Sequence, residues 1–134
     1  MQGALEVGTV ELVIAGGKRL VGSVRAGGSK NAAIAIMAGS LLAEGDTIIE
    51  NAPGARDVSA MSAVLREMGV SIRRAGPSAL RVRTHRLIHH EPPYELAKTL
   101  RASSLLLGPL LARKGKASIP LPGGDSIGSR PMDF

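Results

Sequence analysis

The stretch that decides the fold is "GGSKNAAIAIMAGSLLAEGDTIIENAPGARDVSAMSAVLREMG", residues 27–69. Its first part, residues 29–42, is rich in alanine and apolar on most faces, which at that length predicts a buried helix. Ser29 is a suitable N-cap for this helix, because its hydroxyl oxygen can accept a hydrogen bond from a free amide of the first turn. A short strand is expected at 47–50, just before a Pro-Gly turn.

The second part of the same stretch predicts another helix. Asp57 can cap this helix at its start, and Gly69 can stop it. Between them apolar side chains recur at helical spacing, at Val58, Met61, Leu65 and Met68. A helix, a strand and a helix around an aliphatic core favour a layered α/β (α+β) fold.

Beyond residue 69 the pattern changes to the alternation that is typical of strands. Residues 70–83 alternate on both sides of the turn "AGPS", residues 75–78. The apolar set is Val70, Ile72, Leu80 and Val82, and the polar set is Ser71, Arg73, Arg81 and Arg83. This pattern predicts a β-hairpin with one apolar face and one cationic face.

The segments on either side of this central part are also assigned from their patterns. A long helix is predicted over 94–113, with a kink or a break at Gly108 and Pro109. Further strands are expected at 10–14 and 20–24. A last strand, 116–121, is expected after a glycine that ends the long helix.

An internal repeat is visible when the chain is shifted by 69 residues. Residues 39–54 then align without a gap with residues 108–123, and both end in a Pro-Gly pair. Two copies of a helix–strand–Pro-Gly unit predict a domain built from repeated supersecondary units, each covering an apolar face of the next. Chance agreement between two apolar helices is the alternative.

Composition excludes several classes of function. The 134 residues carry a net charge of +6, no cysteine, no tryptophan, one tyrosine and one phenylalanine. Without cysteines, disulfides and thiol catalysis are excluded. The positive charge favours an anionic partner, but a nucleic-acid binder is a weak alternative, because aromatic side chains for base stacking are nearly absent. His85, His89 and His90 lack carboxylates at ligand spacing, so we expect no metal site and no cofactor.

The N-terminus has no basic segment ahead of its apolar residues, and no apolar run approaches the ~18 residues of a membrane span. We therefore expect a cytoplasmic protein with no membrane partner.

Three features could carry chemistry. The first is "GGSKN", residues 27–31, where free amides and the helix dipole favour an anion beside Lys30 and Asn31. An exposed lysine that points into water is the alternative. The second is Arg101, a guanidinium among apolar residues, which either binds an anion or faces solvent. The third is the segment "LPGGDSIGSRPMDF", residues 121–134, which is either the rim of an active site or a surface loop.

Taken together, these motifs resemble a known family. "GGSKNAAIAIMAGSLLAEGDTIIENAPGARDV", "YELAKTLRASSLLLGPLLARKG" and "LPGGDSIGSRPMD" are similar, in this order and at these separations, to the N-terminal third of the UDP-N-acetylglucosamine 1-carboxyvinyltransferases. These are the enolpyruvyl transferases of peptidoglycan synthesis. The likeness runs from about Glu11 to Phe134 and implies an incomplete inside-out α/β barrel of repeated βαβαββ units. Residues 1–25 would lead in from a second domain, and 26–134 would form part of the first.

The resemblance also implies a reaction and roles for particular residues. The enolpyruvyl group of phosphoenolpyruvate would move to the 3'-hydroxyl of UDP-N-acetylglucosamine, with release of phosphate. Lys30 and Asn31 would bind phosphoenolpyruvate, and Asp125, where the family usually has cysteine, would donate a proton. The residues expected to contact UDP-N-acetylglucosamine are Arg101, Arg130, Pro131, Met132, Asp133 and Phe134.

Family members are about three times as long as this chain, and their active site lies between two similar domains. We therefore expect a fragment that needs the rest of the family fold as its partner and is inactive alone. A non-catalytic anion-binding or interaction module, held by a partner chain, is the alternative.

Overall fold

The computed structural model describes residues 11–120, and its regular elements begin at Lys30. In chain order they are α1 (Lys30–Gly39), a 3₁₀ turn (Ser40–Leu42), β1 (Asp46–Ile49), α2 (Arg56–Glu67), β2 (Ser71–Gly76), β3 (Ala79–Arg83), α3 (Tyr94–Ala97), a 3₁₀ helix (Arg101–Leu106) and α4 (Leu107–Lys114). The mixed α/β class predicted from the sequence is confirmed. Within the described range, no helix has the length and apolar character that crossing a membrane requires.

The three strands form one antiparallel sheet in the order β1-β3-β2. Ile72 lies opposite Val82, and Arg73 lies opposite Arg81. Because neighbouring side chains of a strand point to opposite faces, the apolar pair and the arginine pair lie on different faces of the sheet. Ile72 and Val82 are buried, whereas both arginines are exposed. The predicted hairpin with one apolar and one cationic face is confirmed.

The core lies between the apolar face of the sheet and the helices. Both helices of the central stretch contribute to it, with Met37 from α1 and Leu65 from α2 fully buried. Leu106 and Leu110 from the later helical segments complete the same cluster. The Arg113 guanidinium donates to the backbone oxygen of Leu41 at 3.1 Å and so ties α4 to the end of the α1 segment.

Both central helices form, with two differences from the prediction. The first helix is not buried all round: α1 buries one face, and Ala32, Ala35 and Ile36 are exposed. The Ser29 hydroxyl accepts a hydrogen bond from the Ala32 amide at 3.3 Å, which confirms it as the N-cap of α1. The second difference is at the start of α2, where Ala55 occupies the N-cap position without a side-chain bond and Asp57 lies in the first turn. This position also suits a carboxylate, because free amides and the positive end of the helix dipole face it.

The predicted long helix over 94–113 is wrong, because the chain forms two α-helices with a 3₁₀ helix between them. Leu100 has extended backbone angles, and the buried Ser103 hydroxyl donates to the backbone oxygen of Ala97 at 3.1 Å. Such local side-chain bonds compete with the regular α-helical pattern. Gly108 and Pro109 do not break a helix, since they occupy the first turn of α4, where a missing amide hydrogen costs little.

Three predicted strands do not form in the described residues. Residues 11–14, 20–24 and 116–120 contain no strand. Strand formation requires a hydrogen-bonded neighbour, and the sheet of the described range contains only β1, β2 and β3. The second copy of the predicted repeat therefore lacks its strand within the described residues, and its Pro-Gly pair lies outside them.

Candidate functional site

The candidate site begins where the chain enters α1. Gly28 lies against the backbone of Asn51, and a Cβ atom at Gly28 would come within 1.6 Å of the Asn51 oxygen. Asn51 itself has a positive φ of 53°, a backbone conformation that asparagine tolerates better than most residues. This close approach places the start of α1 beside the loop that leads into α2. Gly28 is therefore required by protein packing, while a Cβ atom at Gly27 would meet no atom of residues 11–120 within 4 Å.

The contact between these two loops brings the first turns of two helices together. The Lys30 ammonium of α1 donates to the Asp57 carboxylate of α2 at 2.5 Å. Both side chains keep substantial exposure, 53% for Lys30 and 42% for Asp57. A lysine in the first turn of a helix is unfavourable toward the helix dipole, and a carboxylate at this distance offsets that cost.

Arg101 approaches the same region from the other side. It is the first residue of the 3₁₀ helix and is partly buried. The Ser104 hydroxyl donates to the Arg101 backbone oxygen at 3.1 Å, a bond within the same 3₁₀ helix. Among residues 11–120 the Arg101 guanidinium has no ion-pair partner. A planar cation in that state can bind a carboxylate or a phosphate with two hydrogen bonds.

These groups line one open cleft of about 470 Å³. Its lining residues are Lys30, Asn31, Ile34, Asp57, Thr99, Leu100, Arg101, Ala102, Ser104 and Leu105. The three predicted site residues of the described range are thus brought together, although 70 positions separate the first pair from Arg101. Among the described residues the cleft offers two cations, one carboxylate and two hydroxyls beside apolar side chains, which suits a small anionic ligand that also carries hydroxyl groups.

Sequence reasoning missed part of this site. Asp57 was predicted as a helix cap, and its place beside Lys30 depends on how α1 packs on α2. Ser104 and Leu105 follow Arg101 in the 3₁₀ helix, and a regular helix over 94–113 would have placed them differently. The spacing of residues within one element gives no signal for such a contact between elements.

The remaining predicted site residues cannot be compared with the structure. Asp125 and the segment from Arg130 through Pro131, Met132 and Asp133 to Phe134 lie outside the described residues. Elsewhere, His85 and His89 are exposed, and residues 11–120 contain no group of three His, Cys, Asp or Glu that could hold a metal ion. A second hollow of about 420 Å³ beside His89 and Tyr94 includes none of the predicted site residues.

The architecture also occurs in a solved enzyme. The described fold matches the crystal structure of the enolpyruvyl transferase NikO from Streptomyces tendae with a TM-score of 0.65 and 28% sequence identity. The match covers 76% of this chain and 24% of that chain. The described residues therefore have the fold of one part of an enolpyruvyl transferase. The chain belongs to the EPSP synthase (3-phosphoshikimate 1-carboxyvinyltransferase) family, which matches residues 14–134.

Within this family the chain is similar to proteins named UDP-N-acetylglucosamine 1-carboxyvinyltransferase. It is 50% identical over 125 residues to UDP-N-acetylglucosamine 1-carboxyvinyltransferase of Anaeromyxobacter sp. (strain Fw109-5), covering 92% of this chain and 30% of that protein. It is 44% identical over 127 residues to UDP-N-acetylglucosamine 1-carboxyvinyltransferase 2 of Symbiobacterium thermophilum, covering 94% of this chain and 30% of that protein. The resemblance stated from the motifs is confirmed. The chain spans about 30% of the length of these relatives.

Proposed function

We propose that this chain forms one wall of the active site of an enolpyruvyl transferase that acts on phosphoenolpyruvate and UDP-N-acetylglucosamine. The observation that carries the proposal is the cleft in which Lys30, Asn31 and Arg101 meet. Relatives that are 44% and 50% identical carry the name of this activity, which supports the sugar nucleotide over shikimate 3-phosphate as the acceptor. A cytoplasmic location is part of the same proposal.

The chemistry of the cleft agrees with these substrates. Phosphoenolpyruvate carries a phosphate and a carboxylate, and Lys30 lies at a helix start where amides can also bind an anion. The second substrate carries a diphosphate, which suits the planar guanidinium of Arg101. Both substrates need cations, and the two cations of the cleft lie on different elements, so two anionic groups can be bound at once.

The proton transfer of the reaction is assigned to the closing segment of the chain. We propose Asp125 as the acid that protonates the methylene carbon of phosphoenolpyruvate, a role that requires a carboxyl group with a pKa near the working pH. Arg130 and the four residues that follow it, Pro131 to Phe134, would contact UDP-N-acetylglucosamine. Support for these roles comes from the match of residues 14–134 to the family.

Binding to the 134-residue chain tests the assignment of the cleft. In an NMR titration with phosphoenolpyruvate, we expect the largest shifts at the amides of Lys30 and Asn31. Arg101→Ala should weaken binding of UDP-N-acetylglucosamine about tenfold or more, as expected for a lost hydrogen bond to a charged group. Arg73→Ala is the matched control, because Arg73 is an exposed arginine on the sheet. Equal weakening by both substitutions would indicate general attraction of anions and contradict the proposal.

Turnover tests how much of the active site the chain holds. We expect no release of phosphate from phosphoenolpyruvate by the 134-residue chain in the presence of UDP-N-acetylglucosamine. The cleft is open, and catalysis needs reacting groups held on both sides of the substrates, where a misplacement of about 1 Å can cost 100-fold in rate. Turnover at rates typical of enzymes would show that this wall is sufficient.

A further inference from the structure

The contact between Lys30 and Asp57 has a meaning for ligand binding that goes beyond the assignment of Lys30. Asp57 is the only acidic residue among those of the described range that line the cleft. An anionic ligand at Lys30 therefore meets a carboxylate whose nearest oxygen lies 2.5 Å from the same ammonium. At such distances the like charge of Asp57 reduces the affinity of the cleft for an anion. To contact the Lys30 ammonium where this oxygen lies, an anion must displace the Asp57 carboxylate.

The ion pair between Lys30 and Asp57 can also open, so that a ligand can replace Asp57 as the partner of Lys30. Lys30 is 53% exposed and Asp57 is 42% exposed, so water and a ligand can reach both side chains. Exposed pairs of this kind are weak, worth a factor of about five or less in an equilibrium constant. A lysine ammonium has three hydrogen-bond donors on a flexible stem, so it can turn from one acceptor to another at low cost.

The helix dipoles act on the two partners in opposite ways. Asp57 lies in the first turn of α2, where the helix dipole favours a negative charge. Lys30 lies in the first turn of α1, where the dipole disfavours a positive charge unless an anion is close. The Asp57 carboxylate offsets this unfavourable interaction when no ligand is bound, and an anionic ligand can offset it once it has bound.

We propose that Asp57 is a resident counter-ion, which holds Lys30 at the cleft in the absence of ligand and competes with an anionic ligand for its ammonium group. Asp57 is thus a positioning residue that lowers the affinity for the ligand. This inference rests on the proposed function, because it takes the ligand at Lys30 to be an anion such as phosphoenolpyruvate.

The test is the affinity of the 134-residue chain for phosphoenolpyruvate at low ionic strength, followed by NMR shifts of the Lys30 and Asn31 amides. Asp57→Asn should bind two- to fivefold more tightly than the unaltered chain, the size expected for release of an exposed pair. The gain should shrink as salt is added, because salt screens the repulsion. Asp46→Asn is the matched control, since it changes the net charge equally and also removes an ion pair, that with Arg83 on the sheet.

The outcomes separate the two proposals. If the unaltered chain binds phosphoenolpyruvate and Asp57→Asn binds it equally or more weakly, the counter-ion role is overturned and the proposed function stands. If neither protein binds it at residues 30 and 31, both are overturned. An equal gain from Asp46→Asn would show an effect of net charge alone and overturn the counter-ion role. Should Asp57→Asn fail to fold, Asp57→Ser replaces it, because a serine hydroxyl also suits a helix start.

Discussion

Two parts of this chain have similar apolar patterns, but the apolar side chains of one are buried and those of the other are exposed. The hairpin of β2 and β3 buries Ile72 and Val82, which are 5% and 0% exposed. The leading segment, residues 11–25, leaves its large apolar side chains in solvent, with Leu12 at 81% and Leu20 at 95% exposure. Both parts were predicted to form strands, and only the hairpin did so.

The difference shows what a strand pattern requires besides its own residues. A two-residue turn joins β2 to β3, so each strand has its partner nearby in sequence, and helices cover the face that the pattern makes apolar. The leading segment has no partner strand in the described range. Burial, and not the pattern alone, therefore decides how much each residue contributes to stability.

The largest effect that this comparison predicts is at Leu65. It is fully buried in α2, and Leu65→Ala should lower the free energy of unfolding by about 2–5 kcal/mol, through lost burial and the cavity left behind. Leu20→Ala makes the same chemical change at 95% exposure and should stay within about 0.5 kcal/mol. Urea unfolding followed by circular dichroism measures both. Similar losses at the two positions would show that the leading segment is packed in solution.

The next effect lies at the boundary between the two parts. Gly28→Ala should cost about 1–3 kcal/mol, because its new methyl group would overlap the Asn51 oxygen and force the backbone to shift. Gly27→Ala adds the same group where no atom of the described residues lies within 4 Å, so it should be close to neutral. Thermal unfolding of the two variants provides the comparison. Phosphoenolpyruvate affinity should also fall for Gly28→Ala only, since this contact sets the position of Lys30.

The sequence predicted most of the central fold, because its signals are local. A cap at Ser29, apolar spacing in α2 and strict alternation in the hairpin each fix an element through neighbouring residues. The segment 94–113 was predicted less well, since hydroxyl groups such as that of Ser103 bond to backbone oxygens in a way that apolar spacing does not show. The strands predicted in the leading segment do not form, because a strand also requires a hydrogen-bonded partner strand.

For the candidate site the sequence predicts residues, whose roles stay a prediction, and not their arrangement. Resemblance to a family was enough to name Lys30, Asn31 and Arg101. Their meeting in one cleft requires the packing of α1 against α2 and against the 3₁₀ helix, which no local pattern encodes. Asp57 was assigned to the wrong role for the same reason, since its partner is 27 positions away.

A smaller effect concerns charges on the exposed face of the sheet. Hydrogen bonds from Arg83 lower the pKa of Asp46 below its ordinary value of 3.8, although burial opposes the shift. A carboxyl group with a lowered pKa in the folded state adds stability above its unfolded pKa, and this stability is lost as the pH falls toward the folded value. Asp46→Asn should therefore reduce stability slightly at pH 7 and by a smaller amount near pH 2. Equal differences at both pH values, measured by thermal unfolding, would contradict the role of this pair.

The smallest effect on stability is expected at Lys30. This side chain is exposed and adds little to stability, but we expect it to matter for ligand binding. Lys30→Ala removes an exposed ion pair, worth about 0.2–1 kcal/mol, and also removes an unfavourable charge from the start of α1, worth about 0.3–1 kcal/mol. These terms oppose each other, so the free energy of unfolding should change by less than about 0.5 kcal/mol. Affinity for phosphoenolpyruvate should nevertheless fall about tenfold, because a hydrogen bond to a charged group is lost.

Lys98→Ala is the control for this last prediction, since Lys98 is paired with Glu95 at 2.6 Å and is not among the residues that line the cleft. Its removal should leave phosphoenolpyruvate affinity unchanged, while stability shifts by an amount as small as that at Lys30. Urea unfolding and NMR titration of the same two samples give both quantities. If Lys30→Ala keeps full affinity, Lys30 is an ordinary exposed lysine. If it unfolds the chain instead, the contacts of Lys30 support the packing of α1 far more than its exposure indicates.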